Sequence, residues 1–180
     1  MIKKISSVLF VLVIMICLVT GCETKKENNN SNKEDSASKI KSVDDLSSDN
    51  GELHCTRTAT IDGGSGTFNY YIKYNGEDIT SINSIEKVES DDPSILNQYI
   101  DSYKTIDSYY VGIDHYEAKI DTTDTSVIHR INIDYEKIDI KKLIELEGEE
   151  DNIFEDNKAK LSKYFVLAKK LGITCSESTL

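Results

Sequence analysis

The fold is decided by residues 52–88, which read ELHCTRTATIDGGSGTFNYYIKYNGEDITSINSIEKV. Apolar and polar side chains alternate through most of this stretch, which is the pattern of strands that pack one face on a core. The apolar face of the first two strands consists of Leu53, Cys55, Ala59, Ile61, Phe68, Tyr70, Ile72 and Tyr74. A third strand is predicted over residues 78–88, where apolar residues recur every three positions. That spacing indicates either a β-bulge or a helical turn within the strand.

Two turn signals separate these strands. Residues 62–66, Asp-Gly-Gly-Ser-Gly, predict a flexible hairpin loop. Asn75-Gly76 is a strong short hairpin signal, since a type I′ turn requires positive φ at both of its central residues. The sequence therefore predicts three antiparallel strands joined by hairpins.

A helix is predicted to follow the third strand. Asp92 supplies its N-cap, and Pro93 occupies the first helical position, where a missing N–H costs nothing. Apolar residues then recur at helical spacing. They are Leu96, Tyr99, Ile100, Tyr103, Ile106 and Tyr110.

The rest of the chain predicts two more strands, around 116–120 and 129–135, and two more helices. Asp139 caps the first of these helices, and the last helix runs from about Leu161 to Gly172. The order β-β-β-α-β-β-α-α predicts an α+β fold, with an antiparallel sheet of about five strands and two to three helices on one face. The other sheet face carries polar side chains and is expected to contact solvent.

The N-terminus reads MIKKISSVLFVLVIMICLVTGC, the three-part form of a secretory signal peptide. Its small residues before Cys22 resemble a bacterial lipobox, in which that cysteine carries the lipid. The alternative, an uncleaved spanning helix, needs about 20 apolar residues, and this stretch is shorter. We expect a signal peptide over 1–21, a lipidated Cys22 and disordered tether over 22–50, and a single α+β domain over 51–180. The domain is expected on the extracytoplasmic face of the cell membrane.

The chain is acidic, with a formal net charge of −11 over 180 residues. Nucleic acid and anionic lipid surfaces both select basic patches, so this charge argues against either as a partner of the domain. Attachment to the membrane is expected through the lipid on Cys22 alone.

Four cysteines occur in the chain, and two of them, Cys55 and Cys175, remain in the mature domain without a lipid. An even pair in an extracellular compartment predicts a disulfide. It would close a loop of about 120 residues, worth roughly 4 to 5 kcal/mol by chain entropy. The alternative is two unpaired buried thiols.

The sequence offers no constellation typical of an enzyme, cofactor site or metal site. The three histidines, His54, His115 and His129, lack metal-ligand spacing, and residues 62–66 lack the Lys-Ser/Thr of a phosphate loop. The acidic stretch 145–156 lacks the EF-hand pattern, so a solvated loop is favoured and weak calcium binding stays open. Tyr71 and Tyr109 do not belong to the predicted apolar faces, so stacking of these two rings on a sugar is a weaker hypothesis.

A family resemblance rests on the lipobox and two longer motifs. These are INIDYEKIDIKKLIELEG at Ile131–Gly148 and KLSKYFVLAKKLGITC at Lys160–Cys175. Together they resemble the YehR-like small bacterial lipoproteins. The resemblance covers the signal and about the second half of the domain, and it implies a lipid-anchored α+β domain without an assigned activity. No functional residue follows from it.

Two functions are therefore expected as alternatives. The first is a non-enzymatic binding or interaction module of the cell envelope, whose partner is an envelope protein or a ligand. The second is a small secreted hydrolase or ligand-processing enzyme that uses Glu and His side chains in a cleft. A deep pocket lined by two carboxylates or a His pair would favour the enzyme.

Overall fold

The computed structural model of the protein describes residues 39–148 and 152–178. The signal peptide, Cys22 and the tether up to residue 38 lie outside the described residues. The strands are β1 (Asn50–Ile61), β2 (Gly64–Asn75), β3 (Asp78–Ser90), β4 (Tyr116–Thr122), β5 (Ser126–Asp134), β6 (Phe154–Glu155), β7 (Lys158–Ala159) and β8 (Thr174–Glu177). The helices are α1 (Pro93–Tyr109), α2 (Ile140–Glu147) and α3 (Leu161–Leu171), and a 3-10 helix spans Val43–Asp45.

The predicted α+β class is confirmed. Six strands form one antiparallel sheet in the order β4-β5-β3-β2-β1-β8, and β6 and β7 form a separate two-stranded sheet. Leu53 of β1 lies opposite Ile72 of β2, and Cys55 lies opposite Tyr70. Because directly opposed residues share a sheet face, this register collects the alternating apolar residues of both strands on the core side.

Of the two irregularities predicted for the third strand, a β-bulge or a helical turn, the β-bulge is present. Lys73 pairs with Ser81, whereas the next residue, Tyr74, pairs with Ile79, so β3 accommodates one extra residue, Thr80. A bulge of one residue inverts the side-chain alternation beyond it. From that point the core face of β3 carries Ile82, Ser84, Glu86 and Val88.

The turn between β2 and β3 differs from the prediction. Asn75 pairs with Asp78, so the central residues are Gly76 and Glu77. Positive φ occurs at Gly76 (58°) and not at Glu77, which is the pattern of a type II′ turn rather than type I′. A glycine in the first central position satisfies this geometry without strain.

The loop between β1 and β2 is shorter than predicted. Ile61 pairs directly with Gly64, so only Asp62 and Gly63 remain outside the ladder. Gly63 supplies the positive φ of this turn, 72°.

The predicted starts of α1 and α2 and the predicted end of α3 are confirmed, whereas α1 ends at Tyr109, before the predicted Gly112. The Asp92 carboxylate accepts a hydrogen bond from the Ser94 N–H at 2.8 Å, and the Asp139 carboxylate accepts one from the Lys142 N–H at 3.2 Å. Gly172 follows α3 in the left-handed conformation, with φ of 68°. Within residues 39–148 and 152–178, no helix has both the length and the hydropathy needed to cross a bilayer.

One continuous core lies between the sheet and the helices, and α1 packs on β3, β4 and β5. The largest fully buried apolar side chains are Tyr164, Leu53, Ile72, Ile106, Leu143 and Leu161. The opposite sheet face carries polar residues that are partly or fully exposed, including His54, Thr56, Asn69, Lys73, Asn83 and Asn132.

The two ends of the described chain meet at one edge of the sheet. Cys55 and Cys175 form the expected disulfide, and Cys175 lies opposite Cys55 where β8 pairs with β1. The N–H of Ile40 donates to the carbonyl of Cys175 at 2.9 Å, and the Ile40 side chain is buried. The described end of the predicted tether, residues 39–50, therefore packs on the domain.

A small hairpin, β6–β7, was not predicted. Its turn residues, Asp156 and Asn157, both have positive φ, 50° and 57°. This is the type I′ geometry, and short polar residues tolerate it.

Candidate functional site

The core contains a cluster of polar side chains, the buried polar cluster, formed by Tyr70, Glu86, Tyr103, Asp107 and His129. Glu86 on β3 pairs directly with His129 on β5, so both side chains lie on the core face. Each has 0% relative exposure. The bulge in β3 produces this placement, because it moves Glu86 from the solvated side of the sheet to the core side.

His129 is held from the helix side. Its Nε2 lies 3.0 Å and 3.2 Å from the two carboxylate oxygens of Asp107 on α1, whose side chain is 24% exposed. The Tyr103 ring stacks on the imidazole with 4.3 Å between ring centroids. This contact is a hydrogen bond in the tautomer whose Nε2 atom carries the hydrogen, because a carboxylate accepts hydrogen bonds.

Burial is the main influence on the protonation of Glu86. It raises the pKa of this carboxyl to about 8, while hydrogen bonds from Tyr103 and Tyr70 oppose the shift and the charge of Asp107 adds to it. The Tyr70 hydroxyl lies 3.5 Å from Glu86 Oε1, which is a long hydrogen bond. Among the described residues, Glu86 Oε2 and His129 Nδ1 are buried without a hydrogen-bond partner.

A second perturbed carboxyl lies at the end of α2. Glu147 accepts a hydrogen bond from the Tyr110 hydroxyl at 3.2 Å, and burial raises its pKa to about 7. The Tyr110 ring stacks on Tyr116, whose hydroxyl reaches Asp107 at 3.4 Å. These contacts connect Glu147 to Asp107 of the buried polar cluster.

The buried polar cluster has the residue types of an acid–base site without the access that catalysis requires. General acid–base catalysis needs a substrate within hydrogen-bond reach of the carboxyl or imidazole. Glu86 and His129 have no exposed surface, so a substrate cannot reach either side chain in this structure.

The described surface includes a groove of about 490 Å³, which we call the lysine groove. It is lined by residues 39–41, by Phe165, Ala168 and Lys169 of α3, and by residues 172–175. Small-molecule sites have volumes of about 300–1,000 Å³ and mostly apolar linings with a few polar groups. The lysine groove falls within that range.

The groove exists because three parts of the chain meet at the sheet edge. Ile40 is fixed by its hydrogen bond to Cys175, and Gly172 ends α3 so that Ile173 turns back toward β8. The side chains of Lys39, Lys41 and Lys169 are exposed around the opening. Within the described part of the chain, none of these three ammonium groups forms an ion pair with a carboxylate.

The remaining candidate residues from the sequence lie at the surface of the domain or outside the described residues. His54 faces away from the disulfide at Cys55; its Nε2 lies 3.0 Å from the Asn69 side chain and its ring stacks on Tyr71. Tyr109 is exposed on α1. Cys22 lies outside the described residues.

The acidic stretch 145–156 is described only in part, because residues 149–151 fall outside the described chain. Over 39–148 and 152–178, no group of three His, Cys, Asp or Glu side chains is placed to hold a metal ion. Weak calcium binding by the whole stretch 145–156 therefore stays a prediction.

Sequence reasoning missed both the buried polar cluster and the lysine groove. The signal for the cluster was the spacing of three in β3, which indicated a bulge without locating it. The groove carried a weaker signal, a Lys-Ile-Lys run at 39–41 beside an otherwise polar tether. The net charge of the chain concealed this basic group, since a sum over 180 residues does not register three neighbouring lysines.

Comparisons with known proteins bear on the fold. No protein-family model matches the chain, and no curated protein matches it by sequence. The NMR structure of the YehR protein from Escherichia coli is similar, with 22% identity and a TM-score of 0.50 over 73% of this chain and 94% of that one. An NMR structure of a protein from Streptococcus pneumoniae TIGR4 aligns with 16% identity and a TM-score of 0.42, over 88% of this chain and 100% of that one. The likeness to the YehR protein shows a shared α+β fold.

Proposed function

We propose that the protein is a lipid-anchored, extracytoplasmic bacterial lipoprotein that acts as a non-enzymatic binding module of the cell envelope. The lysine groove is its binding site, and this groove is the observation that carries the proposal. It combines an apolar floor, three exposed cations and a volume of about 490 Å³. The partner is an envelope protein segment or a small ligand that fits this opening.

The position of the groove supports the link between binding and anchoring. Residues 39–41 form one wall, and they are the described residues nearest in sequence to Cys22. A lipid on Cys22 would therefore tether the domain by the side that carries the groove. The distance to the membrane is then limited by the reach of residues 23–38.

The alternative, a small secreted hydrolase, has the buried polar cluster in its favour because two carboxyls and an imidazole converge there. Access argues against it. Glu86 and His129 have no exposed surface, and a hydrolase must admit both substrate and water to its acid and base.

The anchor is tested by growing cells that express the full chain with a radioactive fatty acid. The wild type and Cys22→Ala differ at the proposed acylation site, so label is expected on the wild type and absent from the variant. Cys17→Ala is the matched control, since Cys17 lies within the same N-terminal segment and should leave the label unchanged. Equal labelling of Cys22→Ala would refute the anchor.

Binding at the groove is tested by the reactivity of lysines toward an amine-acetylating reagent, mapped by mass spectrometry. Lys39, Lys41 and Lys169 should react less in the intact cell envelope than in the same full chain after extraction. The exposed control lysines, Lys73, Lys104 and Lys141, lie on other faces and should react equally in both states. Equal reactivity of the groove lysines in both states would refute binding there.

A further inference from the structure

The lysine groove has two chemically different parts. Its floor is apolar and consists of Ile40, Phe165, Ala168 and Ile173, next to the disulfide at Cys175. Its opening carries the ammonium groups of Lys39, Lys41 and Lys169, whose methylene stems extend the apolar wall toward solvent. A ligand that satisfies both parts has an anionic group joined to an apolar body.

The charge of the opening is unusual for this molecule. The chain has a net charge of −11, yet the lining of the groove contains three lysines and no acidic residue. The Asp45 carboxylate lies close to one of them, and it accepts hydrogen bonds from the backbone N–H groups of Lys41 and Ser42 at 2.9 Å and 3.0 Å. Two of the three cations, Lys39 and Lys169, remain for an anion that enters the groove.

Backbone carbonyls at the end of α3 do not neutralise the positive charge of the lysines in the groove. The C-terminal carbonyls of α3 would attract a cation, but the N–H of Gly172 and the N–H of Ile173 cap them at 3.3 Å and 2.9 Å. The side chains of Lys39, Lys41 and Lys169 are exposed around this opening. An apolar floor beneath cations is poorly suited to a fully polar anion, which would lose hydration without gaining contacts.

We propose that the lysine groove binds a single-chain anionic amphiphile, with its carboxylate or phosphate at Lys39 and Lys169 and its acyl chain on the apolar floor. This inference rests on the function proposed above, because it names the ligand class of the same groove. A free fatty acid and a lysophospholipid share this chemistry. Both are available at a membrane surface, which is where a lipid on Cys22 would hold the opening.

The proposal is tested with photoreactive, clickable amphiphiles added to membranes that contain the full chain. After irradiation, the labelled peptides are mapped by mass spectrometry. A fatty-acid probe or a lysophospholipid probe should label the peptides that contain Phe165 and Ile173, and the stronger of the two identifies the source. Labelling of neither peptide by either probe would overturn the proposal.

Charge reversal tests the role of the lysines. The triple variant Lys39→Glu, Lys41→Glu and Lys169→Glu should lose labelling by about tenfold or more, the factor that corresponds to losing one charge-assisted hydrogen bond. The control triple variant, Lys73→Glu, Lys104→Glu and Lys141→Glu, changes the net charge equally on other faces and should keep its labelling. Equal loss in both variants would overturn the assignment of the anion to the groove.

A photoreactive fatty alcohol of the same chain length separates the anionic group from the apolar chain. It should label the groove weakly, because it presents no charge to the lysines. Labelling as strong as that of the fatty acid would overturn the requirement for an anion.

These readouts separate failure of the ligand class from failure of the function. If the groove lysines are protected in the envelope but no amphiphile labels Phe165 or Ile173, the groove binds something else and the amphiphile proposal is wrong. If the lysines are unprotected, the binding module itself is wrong. Acylation is read from the peptide that contains Cys22, so it is scored independently of both.

Discussion

Among the described carboxyls, Glu86 has an ionisation that is strongly linked to folding near neutral pH. Burial raises its pKa to about 8 in the folded chain, compared with an ordinary value of 4.5. A folded state that binds a proton more tightly than the unfolded state is stabilised below the unfolded pKa. The stability that this group contributes is therefore complete below about pH 4.5 and is lost as the pH rises to about 8.

Replacing Glu86 with Gln should reduce this dependence of stability on pH. At pH 8 the variant should be more stable than the wild type by a few kcal/mol, because a neutral amide avoids burying a carboxylate. At pH 4.5 the two proteins should have similar stability. The measurement is the free energy of unfolding from urea titrations between pH 4.5 and pH 8.

Other carboxyls also contribute to the dependence of stability on pH. Glu147, with a pKa raised to about 7, titrates in the same window and should leave a smaller slope in Glu86→Gln. Asp78, Asp121 and Asp134 have lowered pKa values owing to neighbouring lysines, so their effects fall below pH 4. Glu117→Gln, on exposed β4, is the matched control; a pH profile for Glu86→Gln identical to that of this control would contradict the buried titration.

The burial of Glu86 could not be predicted from sequence, although the strand that carries it could. Strand residues alternate between two faces, and one inserted residue reverses the assignment of every later side chain. The sequence showed that apolar residues in β3 recur every three positions, yet it did not show that Thr80 is the inserted residue. Tertiary pairing with β2 fixes that position. The cluster of Glu86 with His129 and Asp107 could not be predicted either, because it depends on the same bulge.

At the scale of elements, the hairpin between β1 and β2 depends on a close backbone approach at Gly64. A Cβ atom at this position would lie 2.2 Å from the carbonyl oxygen of Glu89 on β3. The backbone of Glu89 belongs to the sheet ladder and cannot move away without disturbing the pairing of Gly64 with Ser90. Glycine is therefore required by space rather than by a positive φ.

Gly64→Ala should destabilise the protein. Steric overlap in a packed structure costs about 1–3 kcal/mol, which exceeds the gain of about 0.4–1 kcal/mol from restricting the unfolded chain. Urea unfolding at pH 6 measures the difference. Ser65→Ala, at the exposed neighbouring position, is the control and should change little. A Gly64→Ala variant as stable as wild type would show that β2 and β3 can separate locally without cost.

The start of α1 offers a second test at this scale. Asp92→Ala removes the acceptor for the Ser94 N–H, and loss of an N-cap costs about 0.5–2 kcal/mol. The adjacent Asp91 is also exposed and acidic, so Asp91→Ala controls for the change in charge. The free energy of unfolding should fall for Asp92→Ala and remain near wild type for Asp91→Ala. Equal losses would assign the effect to charge rather than to capping.

Elements with local signals were predicted, and those that depend on distant pairing were not. Asp92, Asp139 and Gly172 marked helix ends because caps act within one turn of the chain. The β6–β7 hairpin has a turn of Asp156 and Asn157 without the glycine that usually identifies a type I′ turn. The groove depends on contact between Ile40 and Cys175, which are far apart in sequence.

For the whole molecule, the disulfide determines how the two ends of the chain are held. Cys55 lies near the beginning of the sheet, and Cys175 lies in β8, the short strand at its edge. Ile40 in turn pairs with Cys175, so the last segment before the domain is attached through the same strand. The disulfide thus fixes β8 to β1 and, with it, two walls of the lysine groove.

Reduction of this disulfide should lower the free energy of unfolding by roughly 4 to 5 kcal/mol, because the bond spans 120 residues of sequence and its loss restores the entropy of a long loop in the unfolded state. Local effects should precede global unfolding. Hydrogen exchange should accelerate first at residues 39–41 and 174–177, since an edge strand of four residues retains few other contacts. Chemical denaturation and hydrogen exchange, each with and without a thiol reductant, measure both effects. The double variant Cys55→Ala and Cys175→Ala is the control, and its stability should not respond to reductant.

If reduction left the unfolding midpoint and the exchange at 174–177 unchanged, the sheet pairing alone would hold the ends of the domain together, and the groove would not need the disulfide.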